Sequence, residues 1–258
     1  LINNSIDEKT QLPIISLYGN NKKPNESQLK DIDILIFDLQ DVGTRFYTYI
    51  STMTYIMEAA AENNIPLIVL DRPNPNGFYV DGPVLEPENK SFVGLHQVPI
   101  VYGLTIGEYA LMVNGEYWLS DSLQCDLTVI PMGNYKRNAI YELPVKPSPN
   151  LPNWESVYLY PSLCFFEGTI VSVGRGTEFP FQVYGHPKMN DEFVFTPRQA
   201  EGRRAPMLCD EECHGEYLTD YAHNYRRNTN QIKLDWIINA YNQLKGEKFF
   251  NNFFFFEK

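Results

Sequence analysis

Two carboxylates, an amide and a guanidinium fall close together in residues 37–49, FDLQDVGTRFYTY: Asp38, Gln40, Asp41 and Arg45, with Gly43 to turn the backbone between them. Such side chains are poor at building a core and good at holding a hydroxylated or anionic ligand. A second polar loop, DRPNPNG at 71–77, adds Asp71, Arg72, Asn74 and Asn76. Glu86 and His96 follow in an irregular stretch, Glu167 stands beside Gly168, and Gly174-Arg175-Gly176 carries a third arginine. Glycosidic bond cleavage uses a pair of carboxyl groups as acid and base or nucleophile. Asp41 and Glu167 are the candidate catalytic acids, each in a loop near glycine where a carboxylate can be presented without burying its charge. Gln40, Arg45, Asp71, Arg72, Asn74, Asn76, Glu86, His96 and Arg175 are the candidate substrate ligands. Asp38 reads instead as an acceptor for backbone N–H groups at a strand end, and Glu108 as a helix cap. Each of the three arginines has an internal ion pair as its alternative, with one of them expected to bind an anion.

The elements that position these groups are legible. Residues 32–37, IDILIF, form an apolar run that stops at Asp38, and residues 65–70, IPLIVL, form another that stops at Asp71. Between them Ile50, Met53, Ile56, Met57 and Ala60 recur at helical spacing within residues 47–63. Strand, helix and strand at this separation predict a βαβ unit with parallel strands and a right-handed crossover. Both polar loops then open on the same edge of the sheet, where ligands bind in open α/β folds. Thr105 and Glu108 predict a capping box at the head of a helix running to Trp118. Residues 125–130, CDLTVI, predict a third strand. The segment 143–154 has four prolines and is expected to be an extended crossing between lobes. Residues 170–173 read as a further strand, and the chain after Gly185 as polar and loopy until an amphipathic helix at 232–244.

Composition excludes several classes. A net charge of -11 without any lysine or arginine cluster argues against a nucleic-acid partner. No apolar run approaches the roughly 18 residues of a membrane span. Gly174-Arg175-Gly176 lacks the third glycine of a dinucleotide fingerprint, and neither a nucleophile elbow nor a Walker sequence occurs. Cys125 and Cys164 read as buried thiols. Cys209 and Cys213 read as a loop disulfide or free thiols before zinc, because structural zinc needs four ligands. No cofactor or metal is expected. The 17 Tyr and 16 Phe suit stacking on sugar rings as well as core packing. The chain starts without Met or signal peptide and stops just after four consecutive phenylalanines, so it is expected to be cut at both ends.

The succession FDLQDVGTRFYTYISTMTYIMEA, LIVLDRPNPNG, VDGPVLE, SFVGLHQVPIVYGLTIGEYA, LPVKPSPNLPN, YLYPSLCFFEGT and VSVGRGTEFPFQVYGHP resembles the NamZ-type exo-β-N-acetylmuramidases, glycoside hydrolase family 171, over about residues 12–256. The resemblance implies a Rossmann-like α/β domain at residues 1–150, a mainly parallel sheet with helices on both faces. It implies a smaller auxiliary domain at 151–258 forming the other wall of a cleft, each domain lacking part of its length. The implied reaction releases terminal N-acetylmuramic acid from the non-reducing end of peptidoglycan fragments, with MurNAc-GlcNAc glycans as partners and a secreted or periplasmic setting. Relatives carry an upstream Pro-Glu-His-Gly motif whose glutamate is a candidate acid, and that motif is not in this chain. A non-catalytic glycan-binding protein is the alternative. A transferase using a nucleotide sugar fits less well, for want of a phosphate-binding loop.

Overall fold

The computed structural model describes residues 4–17, 19, 21–202, 204–226 and 228–251. The chain forms two compact units. The first takes the residues up to Asp41 with Thr48–Pro73 and Leu104–Asn134, and the second takes Val42–Tyr47, Asn74–Gly103 and the chain from Tyr135 onward.

The first unit opens with a short antiparallel pair, β1 (Ser5–Ile6) and β2 (Pro13–Ile14), and one helical turn, α1 (Glu26–Leu29). Then come β3 (Leu35–Phe37), α2 (Tyr49–Asn63) and β4 (Leu67–Leu70), the expected βαβ unit, with Leu35, Ile36 and Phe37 in parallel register with Leu67, Ile68 and Val69. Helix α3 (Ile106–Gly115) leads to β5 (Leu127–Ile130), which pairs parallel on the other side of β4. The period-2 alternation splits this sheet into two faces. Leu35, Phe37, Leu67, Val69, Leu127 and Val129 share one face; Leu35 packs with Ala59 of α2, and Val129 lies against Gly107 of α3. Burial of Phe37, Leu67 and Val69 there stabilises the unit by about 1.5–3 kcal/mol per side chain. The opposite face carries Ile36 and Ile130, which are 61% and 48% exposed.

The helix starts and faces hold in the first unit, although α3 ends at Gly115 and not at Trp118. Ile50, Met53, Met57 and Ala60 are buried on α2, which ends on Asn64 in the left-handed conformation with its N–H returned to the carbonyls of Ala60 and Ala61. Helix α3 begins at the Thr105–Glu108 capping box. Residues 143–153 hold neither helix nor named strand, as their prolines require.

The second unit departs from expectation. Helix α4 (Trp154–Leu163) follows the proline-rich segment, capped by Asn153 and Ser156, and runs into a 3-10 turn, Cys164–Gly168. Residues 170–173 are not a strand. They are tied at single points, Ser172 bridging Gly185 and the Val173 carbonyl accepting the Phe181 N–H at 2.8 Å. The stretch after Gly185 is not loop throughout: β6 (Val183–His186), β7 (Phe193–Phe195) and β8 (Cys213–Tyr217) make an antiparallel sheet in the order β6-β8-β7. Their pattern escaped notice because glycines 185 and 215 face each other at its centre. A Cβ on Gly215 would lie 1.8 Å from the Tyr184 carbonyl, so the close approach of β6 and β8 demands glycine there. Helices α5 (Thr219–Tyr225) and α6 (Asp235–Gln243) complete the unit. No helix among the described residues is long and apolar enough to cross a membrane.

One buried carboxylate braces the first unit. Glu58 accepts the Ser120 hydroxyl at 2.7 Å and its N–H at 3.0 Å, and its other oxygen meets Lys23 at 3.3 Å. Burial, the largest single influence, pushes this carboxyl up, but Ser120 and Lys23 together outweigh it and hold it below its ordinary 4.5. A carboxyl depressed in the fold contributes fully above its unfolded value and loses that contribution as pH falls through the folded one. Glu58→Gln should therefore cost about 1–2 kcal/mol near neutral pH. The gap in melting temperature from the parent should close as pH drops below 4.5. A gap unchanged across that window would remove the charge from the account.

Candidate functional site

The sheet-edge loops of the first unit are joined as the parallel topology requires. The Arg72 Nε donates to Asp38 Oδ1 at 2.6 Å, and the Gln40 amide donates to the carbonyls of Asp41 and Pro73, both at 2.7 Å. Asp38 therefore serves an arginine. The Asp38–Arg72 pair is partly exposed, so it is worth no more than about 1 kcal/mol and yields readily to a ligand. Asp71 is committed to the fold: it accepts its neighbour's N–H at 3.0 Å, the Thr105 hydroxyl at 2.9 Å and the Gly107 N–H at 2.8 Å, anchoring the head of α3. Asp41 is buried.

The remaining loop residues belong to the second unit, and most are built into it. Arg45 is buried, its Nη1 on the carbonyls of Pro83, at 2.9 Å, and Val98. Asn74 accepts the Asn76 N–H at 2.8 Å and fills the space beside Gly43, whose φ of 75° suits glycine. Asn76 donates to the carbonyls of Val42 at 2.9 Å and Val157 at 3.0 Å. The second bond has a cause in sequence. Pro161 lies within α4 and offers no N–H to the carbonyl four residues back, so Val157 takes its hydrogen from Asn76. His96 is buried, its carbonyl accepting the Val98 N–H at 2.8 Å. Glu86 is exposed at the start of the 3-10 turn Pro87–Asn89.

Glu167 and Arg175, eight residues apart, meet at a cavity of about 890 Å³ inside the second unit. The 3-10 turn after α4 presents Glu167, and the loop at Gly174 and Gly176 presents Arg175. The Arg175 Nε reaches Glu167 Oε1 at 2.7 Å and Nη2 bears on the same oxygen, while the guanidinium lies 4.8 Å from the centre of the Phe181 ring. Behind the other oxygen stands the Cys164 thiol at 3.7 Å. Burial first, and nearby acidic groups after it, push the Cys164 thiol and the Tyr160 phenol well above their ordinary values. These neighbours therefore stay protonated and neutral, and Arg175 is the charge partner of Glu167.

Four lining side chains were not foreseen: Asn150, Ser172, Arg198 and Arg204, with Val171, Val173 and Pro206 as apolar wall. Arg198 and Arg204 lie in the loop PRQAEGRRAP at 197–206, where three arginines stand within seven residues, while Asn150 and Ser172 carry no signal in sequence. Cys125, Cys164, Cys209 and Cys213 are free thiols. Among the described residues no group of three or more His, Cys, Asp or Glu side chains is placed to hold a metal ion.

These features define an α/β protein with a parallel sheet, a separate antiparallel sheet, and a roomy cavity that presents one carboxylate among arginines. The family model for the N-terminal part of exo-beta-N-acetylmuramidase NamZ matches residues 1–155, and that for its C-terminal part matches residues 158–257. The chain belongs to the NamZ family. It is 54% identical over 187 residues to the peptidoglycan beta-N-acetylmuramidase NamZ of Bacillus subtilis, a match covering 70% of this chain and 44% of that protein. The chain thus spans less than half the length of this relative. A crystal structure of a DUF1343 family protein from Bacteroides fragilis superposes with a TM-score of 0.90 at 52% identity, over 96% of this chain and 69% of the other. A second DUF1343 structure from that organism gives 0.75 at 37% identity, over 83% and 60%.

Asn76→Ala should destabilise the fold by about 1–3 kcal/mol, because it leaves the Val42 and Val157 carbonyls without their donor in the interior. Denaturant titration reads this directly. A wild-type midpoint would release Asn76 from the fold and return it to the substrate ligands.

Proposed function

We propose that this chain carries substrate-binding and catalytic groups of a hydrolase that removes terminal N-acetylmuramic acid from the non-reducing end of peptidoglycan fragments. The observation that carries the reading is Glu167, a carboxylate set by a 3-10 turn at the wall of a partly apolar cavity and held in orientation by Arg175. Cavities that bind small molecules have this size and this mixture of apolar wall with few polar groups. The name of the Bacillus subtilis relative supports the substrate class.

In this reading Glu167 takes one of the two carboxyl roles of glycoside hydrolysis, with Asp41 as this chain's other candidate for that same role, and the upstream glutamate expected from the family resemblance takes the second. Arg175 orients Glu167 through two donors on one oxygen, leaving the second oxygen beside the Cys164 thiol. Asn150 and Ser172 supply donors and acceptors for the acetamide and hydroxyl groups of the sugar, and the valines supply an apolar floor for its ring. Exo action, a role in cell-wall turnover and recycling, and a secreted or periplasmic setting belong to the same proposal.

The test is turnover of a chromogenic N-acetylmuramic acid glycoside by the full-length protein. Glu167→Gln should lower kcat by about 10²–10⁴-fold, the usual contribution of a general acid or base, with the thermal melt unchanged. Near-wild-type turnover in a folded variant would confine Glu167 to binding and leave the glycan-binding alternative for this cavity.

A further inference from the structure

The three arginines that line the cavity among the described residues differ in what they face. Arg175 turns two of its donors on Glu167. Arg198 donates to Asp210 at 2.6 Å. Arg204 makes no hydrogen bond or ion pair with any described residue, yet it lines the same wall. The first two charges are each matched by a carboxylate, so among the described residues Arg204 is the lining cation that no carboxylate matches. In a chain of net charge -11, an anionic ligand is repelled at long range and is held only where a cation is local.

We propose that Arg204 reads a carboxylate on the ligand of this cavity, and that the carboxylate is the lactyl group of N-acetylmuramic acid. This rests on the muramidase reading and deepens it. It gives to Arg204 the anion-binding role expected of one of Arg45, Arg72 and Arg175, the last two of which already hold Asp38 and Glu167. A guanidinium whose donors meet no described residue can match a carboxylate by two parallel bonds, and drawing Arg175 into that role would strip Glu167 of its partner. The surroundings of Arg204 suit the rest of the same sugar. Pro206 and Met207 on its own loop offer apolar surface to the lactyl methyl, and Asn150 and Ser172 are the polar lining groups for the acetamide and hydroxyls.

Calorimetric binding to the full-length protein separates the possibilities, with free N-acetylmuramic acid, N-acetylglucosamine and N-acetylmuramyl-L-alanine as probes. Wild type should prefer N-acetylmuramic acid to N-acetylglucosamine. Arg204→Ala should weaken the acid roughly ten- to hundred-fold, as loss of a charge-assisted pair predicts, and leave N-acetylglucosamine unchanged. Arg204→Lys should restore part of the preference, and added salt should erode it in wild type more than in Arg204→Ala. In turnover, the loss should fall on KM with kcat retained. Equal affinity of wild type and Arg204→Ala for the acid would overturn the proposal, as would a loss shared equally by both sugars. Tighter Arg204-dependent binding of the alanyl compound, whose lactyl carboxyl is an amide, would overturn the lactyl assignment in favour of a peptide carboxylate. If Arg204-dependent preference is present without turnover, the hydrolase reading fails and the carboxylate reader stands. If turnover is present and Arg204→Ala is indifferent, only the carboxylate reader fails.

Discussion

A proline inside α4 removes one donor from the helix, and much of the second unit is arranged around the repair. The Val157 carbonyl is left open by Pro161 and takes its hydrogen from Asn76. Asn76 also holds the Val42 carbonyl, so a single side chain ties α4 to the loop at 74–77 and to the segment at Val42. Asn74 fixes the backbone of Asn76 and occupies the space beside Gly43, where a Cβ would meet its amide oxygen at 2.0 Å. Two turns further on, the helix relaxes into the 3-10 turn that presents Glu167. A polar loop that reads as ligand-binding is thus partly the device that allows a proline in the helix leading to the cavity.

The same economy governs the first unit, where a half-buried and a buried carboxylate, Asp71 and Glu58, satisfy backbone donors that no secondary structure reaches. Asp71 ends β4 and takes the N–H of Gly107 in the first turn of α3, with the favourable interaction of a negative charge at a helix head. Glu58 does the same for Ser120 after α3. An unmade hydrogen bond to a buried amide costs about 1–3 kcal/mol, so each of these acids is worth keeping without any role in chemistry. Asp38 differs. Its partner is a half-exposed arginine, and an exposed pair of this kind is held too weakly to be needed by the fold.

What could be read in advance follows from the range of the interactions. The βαβ unit was legible because the burial of α2 and of two strands repeats at fixed periods, and the α3 capping box because its two partners lie three residues apart. The antiparallel sheet of the second unit was illegible, its strands being three to five residues long and its central contact made by Gly185 and Gly215. Side-chain type alone also misled over position. Asn76, Asp71 and Arg45 have the chemistry of ligands, but their hydrogen bonds go to backbone groups up to 81 residues away, which no local pattern announces. Glu167 and Arg175 were found because glycines flank them. Arg204 was not, since its distinguishing property is the lack of a partner among the described residues, and a partner's absence is visible only in three dimensions.

That property gives the cavity its division of labour. An arginine beside a carboxylate does two opposed things: it fixes the acid's orientation and it cancels the charge that would otherwise draw an anion. One arginine cannot serve both ends at once. Arg175, bonded twice to one oxygen of Glu167 and laid over the Phe181 ring, is spent on orientation. Attraction then has to come from a second cation, one that no described residue engages. A loop carrying Arg198 on Asp210 and leaving Arg204 open provides it without burying an unpaired charge, because the open guanidinium stays in contact with water until a ligand arrives. Burying the same charge unpaired would cost several kcal/mol. Exposure is therefore the condition under which an acidic chain can keep such a cation ready for an anionic ligand.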